Sequence, residues 1–166
     1  MSILDIPVIA RIRRNHALEH ATIHVWSQRL SGLQLVGRSS ASGFYIYGKV
    51  DTERVASAAS EALARLQQGE VDLAVHPRCG TNIATAGILA GFSSFAVLSG
   101  RSRTRIERLP QVVLAATLAI LLAQPLGQLI QSKVTTTSDL HSVRIKEIIR
   151  QERGSMVVHH VRVTEG

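Results

Sequence analysis

The sequence predicts an α+β protein: a small αββαβ domain, a transmembrane helical hairpin, and a C-terminal helix plus strand. Three observations predict it. The first half of the 166-residue chain alternates helix-like and strand-like patterning. Two uncharged runs follow, Cys79 to Gly100 (22 residues) and Leu109 to Ser132 (24 residues), joined by a short basic link. At about 1.5 Å per residue, either run is long enough to cross a hydrocarbon layer about 30 Å thick. Beyond them, the polar stretch 135–138 opens a charged tail. The expected division is 1–78 as an α+β metal-binding domain, 79–132 as the hairpin, and 133–166 as a C-terminal part packing on the first domain.

The first helix is expected to start at Asp5 as N-cap, with Pro7 in its first turn, and to stop near Ser31-Gly32. At 100° per residue, Val8, Ile9, Ile12, His16, Glu19, His20, Ile23, Trp26 and Leu30 share a sector about 120° wide. Residues 33–38 and 44–50 read as strands around the loose turn 39–43. Asp51 then caps a helix with the stripe Val55, Ala59, Ala62 and Leu66, ended by Gly69. Val71 to Val75 reads as a short strand. Pro125 is expected to kink the second apolar run. Asp139 to about Arg153 reads as a basic helix with the strip Ile145, Ile148 and Ile149, suited to a surface or to docking on a membrane. Met156 to Val163 reads as a strand whose alternation turns one of His159 and His160 to the packed side.

The chemistry concentrates in two blocks. His16-Ala17-Leu18-Glu19-His20 reads H-x-x-E-H, the inverted zinc-protease signature. Two His four apart share a helix face and can grip one metal ion, and Glu19 between them can act as a base on water. The bland alternative is two core His and a Glu paired with an Arg. His24, one turn on, is a further candidate ligand, better suited to an outer role. The second block is His76-Pro77-Arg78-Cys79. Pro77 stiffens the turn, and H-x-x-C spacing lets both side chains reach one ion. Cys79 is the only cysteine, so no intrachain disulfide forms. Arg78 beside it favours the thiolate. The alternatives are a His bonded to backbone and a small buried Cys.

The run Asn15 to His24, with His76 to Asn82, resembles a bacterial membrane-protein family, domain of unknown function 6391. It is also similar to domain of unknown function 1385, described as a predicted metal-dependent membrane enzyme. The likeness spans roughly residues 10 to 135. It implies a membrane-associated metal site at His16, Glu19, His20, His76 and Cys79, with no assigned substrate. Inverted zinc proteases take a downstream Glu as third ligand. Glu53, Glu61 and Glu70 are present here, but in no recognisable context.

Net charge is +7. Basic residues flanking membrane segments and meeting anionic headgroups account for most of it. With 4% aromatic residues, no aromatic–basic interleaving and no helix-turn-helix pattern, nucleic-acid binding is not expected. The expected partners are the lipid bilayer and a protein or peptide substrate. The expected location is an inner or plasma membrane, with both termini cytoplasmic because no signal peptide precedes the N-terminal region. The Arg-rich link 101–108 also prefers the cytoplasm, a conflict that a re-entrant hairpin would resolve. The leading functional expectation is a zinc-dependent hydrolase, a peptidase among the options. Zn²⁺ sits on His16, His20 and His76, Cys79 is a fourth ligand or adjacent thiol, and Glu19 is the catalytic base. The alternative is a membrane scaffold with a closed structural His/Cys site.

Overall fold

The computed structural model describes residues 2–29, 35–77, 79–100, 104, 106–154 and 156–166. The expected stop of the first helix at Ser31-Gly32, the first residues of the first strand, and Arg78 lie outside the described residues. The chain forms two compact units: Met1–His76 with Ser132–Gly166, and Pro77–Gln131.

In the first unit, a short 3-10 turn, Ile3–Asp5, leads into α1 (Pro7–Arg29). Pro7 takes the first helical position, where its missing N–H costs nothing. Asp5 caps the preceding turn rather than α1: its carboxylate accepts from Ser2 N, and Ser2 Oγ accepts from Leu4 N. β1 (Val36–Ser40) and β2 (Gly43–Tyr47) form a hairpin. α2 (Thr52–Gln67) follows Asp51, and the chain leaves it through Gly69 at φ +95°. The expected stripe on α2 is buried, with Ala58 added to it.

Two expectations fail here. Val71–Ala74 is a 3-10 turn, not a strand. Leu73 and Ala74 are buried side by side, so burial does not alternate as a half-buried strand requires. The second failure is the basic C-terminal helix. Residues 139–153 instead supply β3 (Val143–Arg153), paired with β4 (Met156–Glu165). A register shift between Ile145 and Glu147 is the reason. One extra residue puts Ile145, opposite Val163, and Ile148, opposite Val161, on the same face although they are three apart. That spacing imitates a helical stripe.

The sheet runs β1-β2-β4-β3, all antiparallel. One core joins its inner face to both helices: Leu18, Ala21 and Val25 of α1, Val55, Ala58, Ala59, Ala62 and Leu66 of α2, and Phe44, Ile46 and Val161 of the sheet. Alanines along both helices permit close approach, and each large buried side chain contributes about 1.5–3 kcal/mol. Gln67 Nε2 donates to the carbonyls of Leu140 and Val143, fastening α2 to the start of β3. On the opposite face, Tyr45 and His160 stack with ring centroids 4.2 Å apart, and Arg38 lies over Tyr45.

The second unit is a hairpin of α3 (Gly80–Leu98) and α4 (Leu109–Ile130), the latter entered through a 3-10 turn at Ile106–Arg108. α4 runs through Pro125, and a π-helical stretch, Gln131–Thr135, continues it. Both helices are long and apolar enough to cross a membrane: Gly80–Leu98, with mean hydropathy 1.5, and the continuous run Ile106–Thr135, with 1.9. Only 11% of either window is buried, so Ile83, Phe92, Phe95, Leu114, Leu121 and Leu122 point outward. Polar groups fasten each end of the hairpin. Gln131 Nε2 donates to Asn82 Oδ1 at 2.7 Å, and Asn82 Nδ2 donates to Pro77 O at 2.7 Å. At the other end, buried Arg108 donates to Val97 O at 2.8 Å, placing a cation on the carbonyl end of α3.

Candidate metal centre

Within the first unit, α1 carries His16, Glu19, His20 and His24 over little more than two turns. The 3-10 turn at Val71–Ala74 brings His76 beside them. The His16 and His20 rings meet edge to face, with centroids 4.2 Å apart. His76 lies 6.0 Å from the His20 ring and 5.8 Å from the His24 ring. Four imidazoles therefore form a connected row on the side of α1 that faces the turn. His16, His24 and His76 are half-buried, and His20 is 3% exposed.

Hydrogen bonds orient two of these rings. His20 Nδ1 lies 2.8 Å from Ala74 O, and His16 Nδ1 lies 3.0 Å from Thr135 O. A carbonyl oxygen only accepts, so each Nδ1 carries the proton. In the neutral ring the lone pair is then on Nε2. Metal-ligating histidines are held this way: the second ring nitrogen donates to a carbonyl and fixes the tautomer. Imidazole nitrogens held in this way are donors of the kind that zinc takes.

Glu19 is 5% exposed. Its carboxylate lies against β1 at Gly37, where a Cβ would collide with Oε1, Cδ and Cγ. A glycine at this point of β1 is what gives the Glu19 side chain its room. Asn15, also buried, donates from Nδ2 to Ser40 O at 2.8 Å and fixes α1 on the same strand.

Cys79 belongs to the second unit. It is the N-cap of α3, is 8% exposed, and its Sγ accepts from Thr81 N at 3.4 Å. Two residues of chain separate it from His76. The downstream glutamates are engaged elsewhere. Glu61 pairs with Arg29 and Arg65, Glu70 pairs with Arg65, and Glu53 is exposed.

The family model described as Domain of unknown function (DUF6391) matches residues 11–148. The chain belongs to the DUF6391 family. It is 36% identical over 144 residues to an uncharacterized protein of Picosynechococcus sp., a match covering 78% of this chain and 68% of that protein. No solved structure matches it. The DUF6391 match includes both histidine blocks and ends inside β3.

Sequence reasoning passed over three groups around these side chains. The carbonyls of Ala74 and Thr135 have no residue-type signature, because any residue supplies a carbonyl. Gly37 reads as an ordinary strand glycine until Glu19 is seen against it. His24 was legible as a neighbour of His20 from spacing alone. Its Nδ1 is buried, with no hydrogen-bond partner among the described residues.

Proposed function

We propose that this chain is a membrane-bound, zinc-dependent hydrolase, with peptides as the substrate class, whose metal is held by His16, His20 and His76. The observation that carries the reading is the pair of Nδ1 bonds to backbone carbonyls, which leaves Nε2 of His16 and of His20 as donors four residues apart on one helix. Cys79, three residues after His76, is the proposed fourth donor or adjacent thiol, on the strength of the sequence spacing.

A bound zinc ion supplies Lewis acidity and brings the pKa of water to about 7. The remaining chemistry falls to the chain. Glu19 takes the proton of the attacking water and returns it to the leaving group. Its packing against β1 holds the carboxylate in one place, so little reorganisation is needed. The hydrogen-bonded His16 and His20 keep their rings from turning. The outward apolar coat of α3 and α4 supports a reading in which both cross the bilayer; cytoplasmic termini are proposed with it, on the sequence alone. Substrate would then be cut at the membrane surface, since His76 immediately precedes the second unit.

The test uses the full chain purified in mild detergent. Elemental analysis is expected to find about one zinc per chain, falling several-fold in His16→Ala and His20→Ala. Less than about 0.2 zinc per chain in the parent would remove the metal site. Glu19→Gln is expected to keep zinc content and Tm while abolishing peptide cleavage. Zinc retained with no peptide cleavage by the parent chain would favour a closed structural site in a membrane scaffold, and cleavage unchanged in Glu19→Gln would remove Glu19 as the base.

A further inference from the structure

The N-terminal end of α1 carries an apolar surface with no partner among the described residues. Ile3 is 73% exposed, Ile6 43%, Val8 53% and Ile12 37%. Val8 and Ile12 are four apart, so they share a helix face. Ile3 opens the 3-10 turn before it, and Ile6 caps that turn. This turn is built: Ser2 and Asp5 form a capping box that satisfies the backbone N–H groups of Ser2 and Leu4. The chain therefore spends two hydrogen bonds to hold isoleucines out in solvent.

Cations border this surface. Arg11 is 55% exposed at its side chain, and Arg13, Arg14 and Lys133 stand nearby on the same unit. Among the described residues, Glu165 pairs with Arg11 and Arg14, and exposed Asp5 lies on the preceding turn. Position decides the occupant. Arg13 Nη2 donates to Thr136 O at 2.9 Å and to Lys133 O at 3.3 Å. Lys133 and Thr136 lie where the chain leaves the second apolar run, Ile106–Thr135. Arg13 of α1 is thus bonded to Lys133, near the end of that run, and to Thr136, the residue after it.

We propose that Ile3, Ile6, Val8 and Ile12, flanked by Arg11 and Lys133, form an interfacial anchor that lies in the headgroup layer of a membrane containing anionic lipid. Apolar side chains enter the boundary of the acyl region while the arginines meet phosphates, as in amphipathic helices that lie on membranes. His16 is one turn beyond Ile12, so the anchor sets the histidine row at the lipid surface. The inference rests on reading α3 and α4 as spans, and the experiment separates the two.

The full chain carrying Ile6→Trp is reconstituted as single copies in lipid nanodiscs with phosphatidylglycerol, with the parent, whose buried Trp26 is the internal reference, measured alongside. Expected is added blue-shifted emission, quenched about two-fold or more by lipids brominated high on the acyl chain and little by lipids brominated near the bilayer centre. Quenching is expected to weaken in discs of phosphatidylcholine alone. A chain that enters the disc with the new indole in water overturns the anchor and leaves the spans standing. A shielded indole that no brominated lipid quenches also overturns it, and indicates a protein contact. Quenching equal in both lipid mixtures overturns the anionic requirement. A chain that fails to enter the disc overturns spans and anchor together.

Discussion

His159 shows how much one residue can decide. It is fully buried in β4, opposite Ile46 of β2 and Arg150 of β3, so it shares the core face with Phe44 and Val161. Its Nε2 shares a hydrogen bond with Thr52 Oγ1 at 3.2 Å, and its Nδ1 has no partner among the described residues. Burial, and then the Arg150 cation, push its pKa below the usual histidine range, with Asp51 opposing. A base whose folded pKa is depressed stays neutral in the fold, while the unfolded chain takes up the proton first. Its contribution is complete above the unfolded value of about 6.5 and is lost as pH falls from there toward the folded pKa. Tm of the full chain in detergent is therefore expected to drop as pH falls below about 6.5, and His159→Leu is expected to flatten that part of the profile. A parallel decline in parent and variant would assign the acid sensitivity to other groups. Alternation in 156–163 already showed that one of His159 and His160 faces inward. Which one became visible only through pairing with β2.

At the scale of elements, the approach of α1 to β1 is the contact that positions Glu19. Gly37→Ala is expected to destabilise the chain by about 1–3 kcal/mol, because the added methyl and the Glu19 side chain cannot share the space. Shortening the acid should relieve it. The double variant with Glu19→Asp is expected to lose less than the sum of the single losses, whereas Glu19→Gln, the same size as the parent, should give no relief. Additive losses in denaturant titrations would mean that Gly37 matters for some other reason. Elements whose pattern is strictly local were legible: α2 from its stripe and Gly69, the β1-β2 hairpin, and both apolar helices. β3 was not, because its bulge gives Ile145 and Ile148 the spacing of a helix face. The turn at Val71–Ala74 was misread because four apolar-rich residues fit a strand as well as a turn. Partner strands decide such cases, and β4 arrives from the far end of the chain.

For the molecule as a whole, residues 77–131 form a hairpin inserted into a unit built from both ends of the chain. The sequence read linearly suggested an α+β part, a hairpin and a C-terminal tail packing on the first part. The tail in fact completes the sheet, with β4 paired directly to β2. The insertion begins one residue after His76, and the chain returns at Ser132, just before Thr135, whose carbonyl holds His16. The first unit therefore gathers residues from both flanks of the hairpin around α1. X-ray absorption at the zinc edge, on the full chain purified in detergent, tests the central reading most directly. Expected is a four-coordinate spectrum with imidazole scattering from two or three nitrogens at about 2.0–2.1 Å, and one sulfur at about 2.3 Å if Cys79 ligates. A spectrum without imidazole scattering, or unchanged by His16→Ala together with His20→Ala, would contradict a metal held by this helix.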